Sequence, residues 1–159
     1  MTTDITVLAN LAFRPDADQP PHLTLRGGDA LDNHASPPPF DDILDEATDA
    51  YLEKYSWGIA HLDPASWRHY VPRLIEYAVA HRTDGSGLVI HAFLSSLRPP
   101  DRTPARFGVL SDDQQTAIVA ILHSLTFSSD SAWAREAGIA LEEYWAPGSL
   151  YRSRGVTGV

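Results

Sequence analysis

From residue 40 onward the apolar positions recur at helical spacing. Phe40, Ile43, Leu44, Ala47, Tyr51 and Tyr55 follow an i, i+3, i+4, i+7 pattern. This predicts one amphipathic helix over 40–55, capped by Asp41 or Asp42 just after three consecutive prolines. Its opposite face carries Asp42, Asp45, Glu46, Asp49 and Glu53, several of them in the first turns, where the helix dipole favours negative charge. Asp63-Pro64 is a second start signal, an N-cap followed by proline at the first helical position. Trp67, Tyr70, Val71, Leu74, Ile75 and Ala78 continue from it at helical spacing. Pro72 interrupts them, so a short helix over 64–70 and a longer one over 72–81 are expected.

Gly85-Ser86-Gly87 reads as a loop, and 88–97 as an apolar helix stopped by Pro99-Pro100. Ser111-Asp112-Asp113-Gln114 has the form of a capping box, and Ala117, Ile118, Ile121, Leu122 and Leu125 form the stripe behind it. A last helix is expected from Ser129 or Asp130, with Trp133, Ala137, Ala140, Leu141 and Tyr144 inward and Pro147-Gly148 at its end. No hairpin signal follows residue 40. The fold class is therefore all-α, a single-domain bundle of five or six helices over 40–159. Residues 1–39 hold six of the 12 prolines and are expected to be an irregular arm laid on that body. Within the arm, residues 5–13 can form two or three helical turns, while Leu23 to Gly28 reads as an extended segment or a turn.

At 159 residues the chain is long enough to bury a core without disulfides or metals. The 43% apolar and 21% charged fractions fit a globular protein rather than a disordered one. A net charge of −9 opposes a phosphate backbone, so nucleic-acid binding is not expected. With no cysteine, thiolate metal sites and cysteine nucleophiles are excluded. The first 13 residues make a poor signal peptide and no stretch is apolar enough to span a membrane, so a cytoplasmic location is the expectation.

No phosphate loop, dinucleotide fingerprint or nucleophile elbow is present, and no cofactor is expected. The seven histidines include no His-Glu-x-x-His and no pair at i+3 or i+4, so no metal site is expected. The most distinctive stretch is LRPPDRTPARF, residues 97–107. It sets Arg98, Arg102 and Arg106 at four-residue intervals in a loop stiffened by Pro99, Pro100 and Pro104. Three guanidinium groups on such a loop suit a phosphate or carboxylate ligand, or they tie helix ends to acidic side chains. The aromatics of the body, Trp57, Trp67, Tyr70, Tyr77, Trp133, Tyr144 and Trp145, read as core residues whose polar tips find partners.

Tyr55-Ser56-Trp57-Gly58, the Tyr70-Val71-Pro72 triplet, the arginine–proline loop ahead of Phe107, and Leu110-Ser111 followed by Gln114 together resemble a bacterial family of small proteins known as a domain of unknown function. The resemblance covers roughly residues 13–151. It implies a single helical domain and no particular activity.

The leading expectation is a protein-binding module that presents the acidic face of Asp42, Asp45, Glu46, Asp49 and Glu53 to a basic partner protein, as an immunity or accessory factor does. The alternative is a small enzyme or anionic-ligand-binding protein that uses Arg98, Arg102 and Arg106, with His91 or a nearby carboxylate as acid or base. A homodimer formed through a surplus apolar face is a third arrangement.

Overall fold

The computed structural model describes residues 4–99 and 105–151, and every regular element among them is helical. In chain order these are α1 (Ile5–Ala12), α2 (Arg14–Ala17), α3 (Leu25–Asp32), α4 (Asp49–Lys54), a 3-10 helix (Ser56–His61), α5 (Pro64–His81), α6 (Leu88–Ser96), α7 (Ala105–Gly108), α8 (Asp112–Phe127) and α9 (Ala134–Ala140), which widens into a π turn (Leu141–Trp145). The all-α expectation holds. Among the described residues no helix is long and apolar enough to cross a membrane.

The axis of the molecule is α5. Trp67, Tyr70, Val71, Leu74, Ile75, Tyr77 and Ala78 are all buried and form a broad apolar face along the helix. A face this wide must be covered by several neighbours. It packs against α1, α2, α6, α7 and α8. Asp63 caps its start by accepting from Ser66 N at 3.1 Å. The capping box of α8 forms as the sequence predicts: Ser111 Oγ accepts from Gln114 N at 3.2 Å, and Gln114 Oε1 accepts from Ser111 N at 3.0 Å. Gln114 also donates to the Ala12 carbonyl at 3.2 Å and to Asp16 Oδ2 at 2.9 Å, which ties α8 to the N-terminal helices.

Three expectations change. First, residues 5–32 are not an irregular arm. They fold as α1, α2 and α3, and Ala9, Phe13 and Leu25 are fully buried in the shared core. Short helices with no core of their own gain stability by docking on the body. The Gly27-Gly28 pair lies inside α3, whose first three N–H groups all find side-chain acceptors. Leu25 N donates to Tyr70 Oη at 3.2 Å, Arg26 N to Tyr51 Oη at 3.1 Å and Gly27 N to Thr24 Oγ1 at 2.8 Å. The stretches 18–24, around Pro20-Pro21, and 35–40, around the proline run, are irregular.

Second, residues 40–55 do not form one helix. Asp41 Oδ1 accepts from both Ile43 N and Leu44 N at 2.9 Å, closing a turn, and a helix begins only after Thr48 caps Tyr51 N at 3.1 Å. The cause is tertiary. Asp45 turns inward to Arg26, and that buried pair overrides the helical stripe. Ile43 and Leu44 are left 80% and 59% exposed instead of facing the core.

Third, Pro72 does not split α5. The helix runs unbroken from Pro64 to His81 with Pro72 buried inside it. Packing on both sides of the proline outweighs the one backbone hydrogen bond it removes. The last helix also starts later than expected, at Ala134, because Ser128 to Ala132 form turns and Trp133 N is held by Ser131 Oγ at 3.1 Å.

Candidate functional site

A cleft of about 470 Å³ opens between the 3-10 helix, the start of α5, the second half of α6 and α7. Its size falls within the range of small-molecule sites, about 300–1,000 Å³. Ser56, Trp57 and Ala60 form one wall, His91, Ala92 and Ser95 another, and Arg98, Ala105, Arg106 and Phe107 close the end. Among the described residues no carboxylate lines it. In a chain of net charge −9, this is a concave surface whose charged side chains, among the described residues, are two arginines.

The two arginines are held differently. Arg98 forms a fork with Glu143: Nε to Oε1 at 2.7 Å and Nη2 to Oε2 at 2.6 Å. That pairing raises the affinity of Arg98 for its proton and neutralises its charge locally. The Arg98 side chain is 49% exposed, so the pair contributes little to stability. Glu143→Gln is expected to cost less than about 1 kcal/mol in a urea titration. A larger loss would show that the pair holds the π turn in place.

Arg106 is the less satisfied cation. Its Nη2 donates to the Leu62 carbonyl at 2.7 Å, and its guanidinium lies 5.5 Å over the Trp67 ring. Among the described residues it has no ion pair. Burial pushes its pKa below the ordinary arginine value, and the Asp63 charge offsets this in part. An arginine stays charged even so, and a partly desolvated guanidinium without a counter-ion favours an arriving anion. The neighbouring Phe107 anchors α7 in the core. It is 2% exposed and packs on Trp67, Tyr144 and Trp145 at centroid separations of 5.8, 4.8 and 4.9 Å. Arg106 is thus carried by a fixed element. The third candidate, Arg102, lies outside the described residues.

The sequence matches, over residues 1–149, a family of unknown function, DUF6714. The chain belongs to that family. No curated protein and no solved structure matches it. Gly58 of the Tyr55-Ser56-Trp57-Gly58 stretch packs against Gly28 of α3, Tyr70 takes the α3 N-terminus, and Gln114 joins α8 to α1 and α2.

The five acids expected on one face are separated by the structure. Asp45 is buried. Asp49 pairs with Arg73 and lies 3.0 Å from His81 Nε2, contacts that lower its pKa. Glu53 accepts from Tyr77 Oη at 2.7 Å. Asp42, Glu46, Asp49 and Glu53 are all exposed, but Asp49 and Glu53 are engaged by α5, and only Asp42 and Glu46 point to solvent without a side-chain partner among the described residues. The histidines are dispersed as well. His61 lies 3.0 Å from Asp32, His81 stacks on Tyr77, and His69 lies 3.2 Å from the Asp16 carbonyl. Among the described residues no group of three His, Asp or Glu side chains is placed to hold a metal.

Trp57 is the site residue that sequence reasoning misplaced. Grouped with the core aromatics, it is 54% exposed in the cleft wall. A signal exists: Trp57 sits next to Gly58 and outside any i, i+3, i+4 stripe, so no helical face buries it. Trp145, also read as a core aromatic, is buried as expected.

Proposed function

We propose that this protein binds a small anionic ligand in the cleft between the 3-10 helix, α6 and α7. The carrying observation is Arg106, a partly buried cation without an ion pair among the described residues, in a concave lining with no described carboxylate. The opposing apolar and aromatic surface, Trp57 and Phe107 with the alanines of α6 and α7, suits the body of such a ligand. The reading is tested by nitrogen-15 NMR with benzoate, phenyl phosphate and inorganic phosphate, following the Trp57 indole N–H and the Arg106 Nε–H. The anionic fragments are expected to shift both signals in a saturable way. A panel in which no anion moves either signal overturns the reading.

The docking of a basic protein remains a second reading, favoured by one feature. Ile43 and Leu44 stand exposed beside Asp42 and Glu46 on a turn fixed by Asp41 and Asp45. A lysine-rich amphipathic helical peptide is expected to perturb residues 40–46 in a salt-sensitive way. An unchanged spectrum at those residues removes this reading.

A further inference from the structure

The four tryptophans are not treated alike. Trp67 Nε1 donates to Ser96 Oγ at 3.1 Å, Trp133 Nε1 to the Asp84 carbonyl at 2.9 Å, and Trp145 Nε1 to the Leu97 carbonyl at 2.8 Å. All three are buried. Trp57 is exposed in the cleft wall, and its indole N–H has no partner among the described residues. It is not on a loose segment. Its neighbours Ser56 and Ile59 are buried, and Gly58 is wedged against the backbone of α3. A pinned turn therefore presents a large, flat apolar surface to an open cavity. Aromatic faces in such positions stack planar groups.

The charge available to a ligand is equally limited. Glu143 already neutralises Arg98, so the described lining offers one uncommitted permanent cation, Arg106. A single guanidinium fork matches a carboxylate, two N–H groups to two oxygens. A dianionic phosphate is usually held by several donors or cations together, as at helix N-termini and arginine clusters. Much of the remaining wall is carbon, from Ala60, Pro64, Ala92 and Ala105.

Building on the cleft assignment above, we infer that the ligand is an aromatic monocarboxylate, its carboxylate paired with Arg106 and its ring against Trp57. The test is calorimetric titration of the full chain with three compounds of one skeleton: 2-naphthoate, 2-naphthamide and 2-naphthyl phosphate. The carboxylate is expected to bind about tenfold or more tightly than the amide, because only it forms the charge-assisted fork. The phosphate is expected to bind no more tightly than the carboxylate. Arg106→Gln should abolish the preference for carboxylate over amide, and Trp57→Ala should weaken both compounds. Equal affinity for amide and carboxylate overturns the inference, as does a clear preference for the phosphate. In the latter case anion binding in the cleft stands and only the ligand class is wrong. Absence of binding by all three overturns the inference, and the fragment NMR experiment then decides separately whether the cleft takes anions. The comparison on the unmodified chain is decisive even if Arg106→Gln fails to fold.

Discussion

Gly58→Ala is expected to destabilise the fold by about 3 kcal/mol, at the upper end of what one added methyl group costs in a tightly packed place. For a chain of this size that corresponds to a fall of about 6–12 °C in melting temperature. A Cβ at Gly58 would lie 2.9 Å from Asp29 N and 3.0 Å from the Leu25 carbonyl carbon, and closer still to the Leu25 oxygen. All three are backbone atoms of α3 or its amide groups, so no side chain can swing aside to make room. The same contact is felt from the other side. A Cβ at Gly28 would lie 2.8 Å from the Gly58 Cα and closer still to the Gly58 oxygen. Gly28→Ala should therefore cost a similar amount, and the double variant less than the two singles added, since separating the elements once relieves both clashes. Gly108→Ala is the control. Nothing lies within 4 Å of its Cβ, and its effect should stay within about 0.5 kcal/mol. Thermal unfolding of the four variants checks all of this. Near-equal melting temperatures for Gly58→Ala and Gly108→Ala would show that α3 and the 3-10 helix separate freely. Gly58→Ala should also weaken any ligand that rests on Trp57, because the turn that holds the indole would be pushed off α3.

That contact shows which parts of the molecule can be read from the chain and which cannot. The α8 helix is legible because its signals are local: a capping box within four residues and a stripe that repeats every turn. The C-terminal half of α5 is legible for the same reason. Its continuity through Pro72 is not, since what keeps that helix whole is packing on neighbours distant in sequence. The turn at 41–45 fails for the opposite reason. Its residues have a good helical period, but Asp45 has a better alternative in Arg26, 19 positions away. Residue spacing carries no record of that pairing. In the candidate site, Arg98 and Arg106 are legible as a local concentration of positive charge. Their difference is not, because it depends on Glu143 reaching one and nothing acidic reaching the other among the described residues. Trp57 is lost to a sound generalisation, that aromatics in a helical protein fill the core. The other three tryptophans obey it, each with its N–H bonded.

Asp45→Ala is expected to cost about 3–5 kcal/mol, the usual penalty for removing one partner of a buried ion pair. By the same size scaling this is a loss of about 6–20 °C in melting temperature. The Asp45 side chain is fully buried and accepts four hydrogen bonds: from Arg26 Nε at 3.1 Å, Arg26 Nη2 at 2.9 Å, Tyr51 Oη at 2.7 Å and Asp41 N at 2.9 Å. Alanine would leave Arg26 with only the Pro39 carbonyl at 3.3 Å and the Tyr51 hydroxyl without its acceptor. An Asp45→Leu, Arg26→Met double variant should recover part of the loss, since the stranded charge is then gone. The pair also makes a pH signature. Burial alone would raise the Asp45 pKa, but the Arg26 and Tyr51 hydrogen bonds and the Asp41 amide outweigh it and hold the carboxyl below its usual value. The unfolded chain, with an aspartate pKa of about 3.9, then binds more protons than the folded one below that pH. The contribution of Asp45 is thus complete above about pH 4 to 5 and disappears as the pH falls through the folded pKa. Urea midpoints measured from pH 6 to pH 2.5 should fall less steeply below pH 4 for Asp45→Ala than for the unmodified chain. Asp49, Asp63 and Asp84, whose pKa values are also lowered, act equally in both proteins and cancel from the comparison. Parallel acid limbs would mean that the Arg26–Asp45 pair is not what holds the 41–45 turn inward.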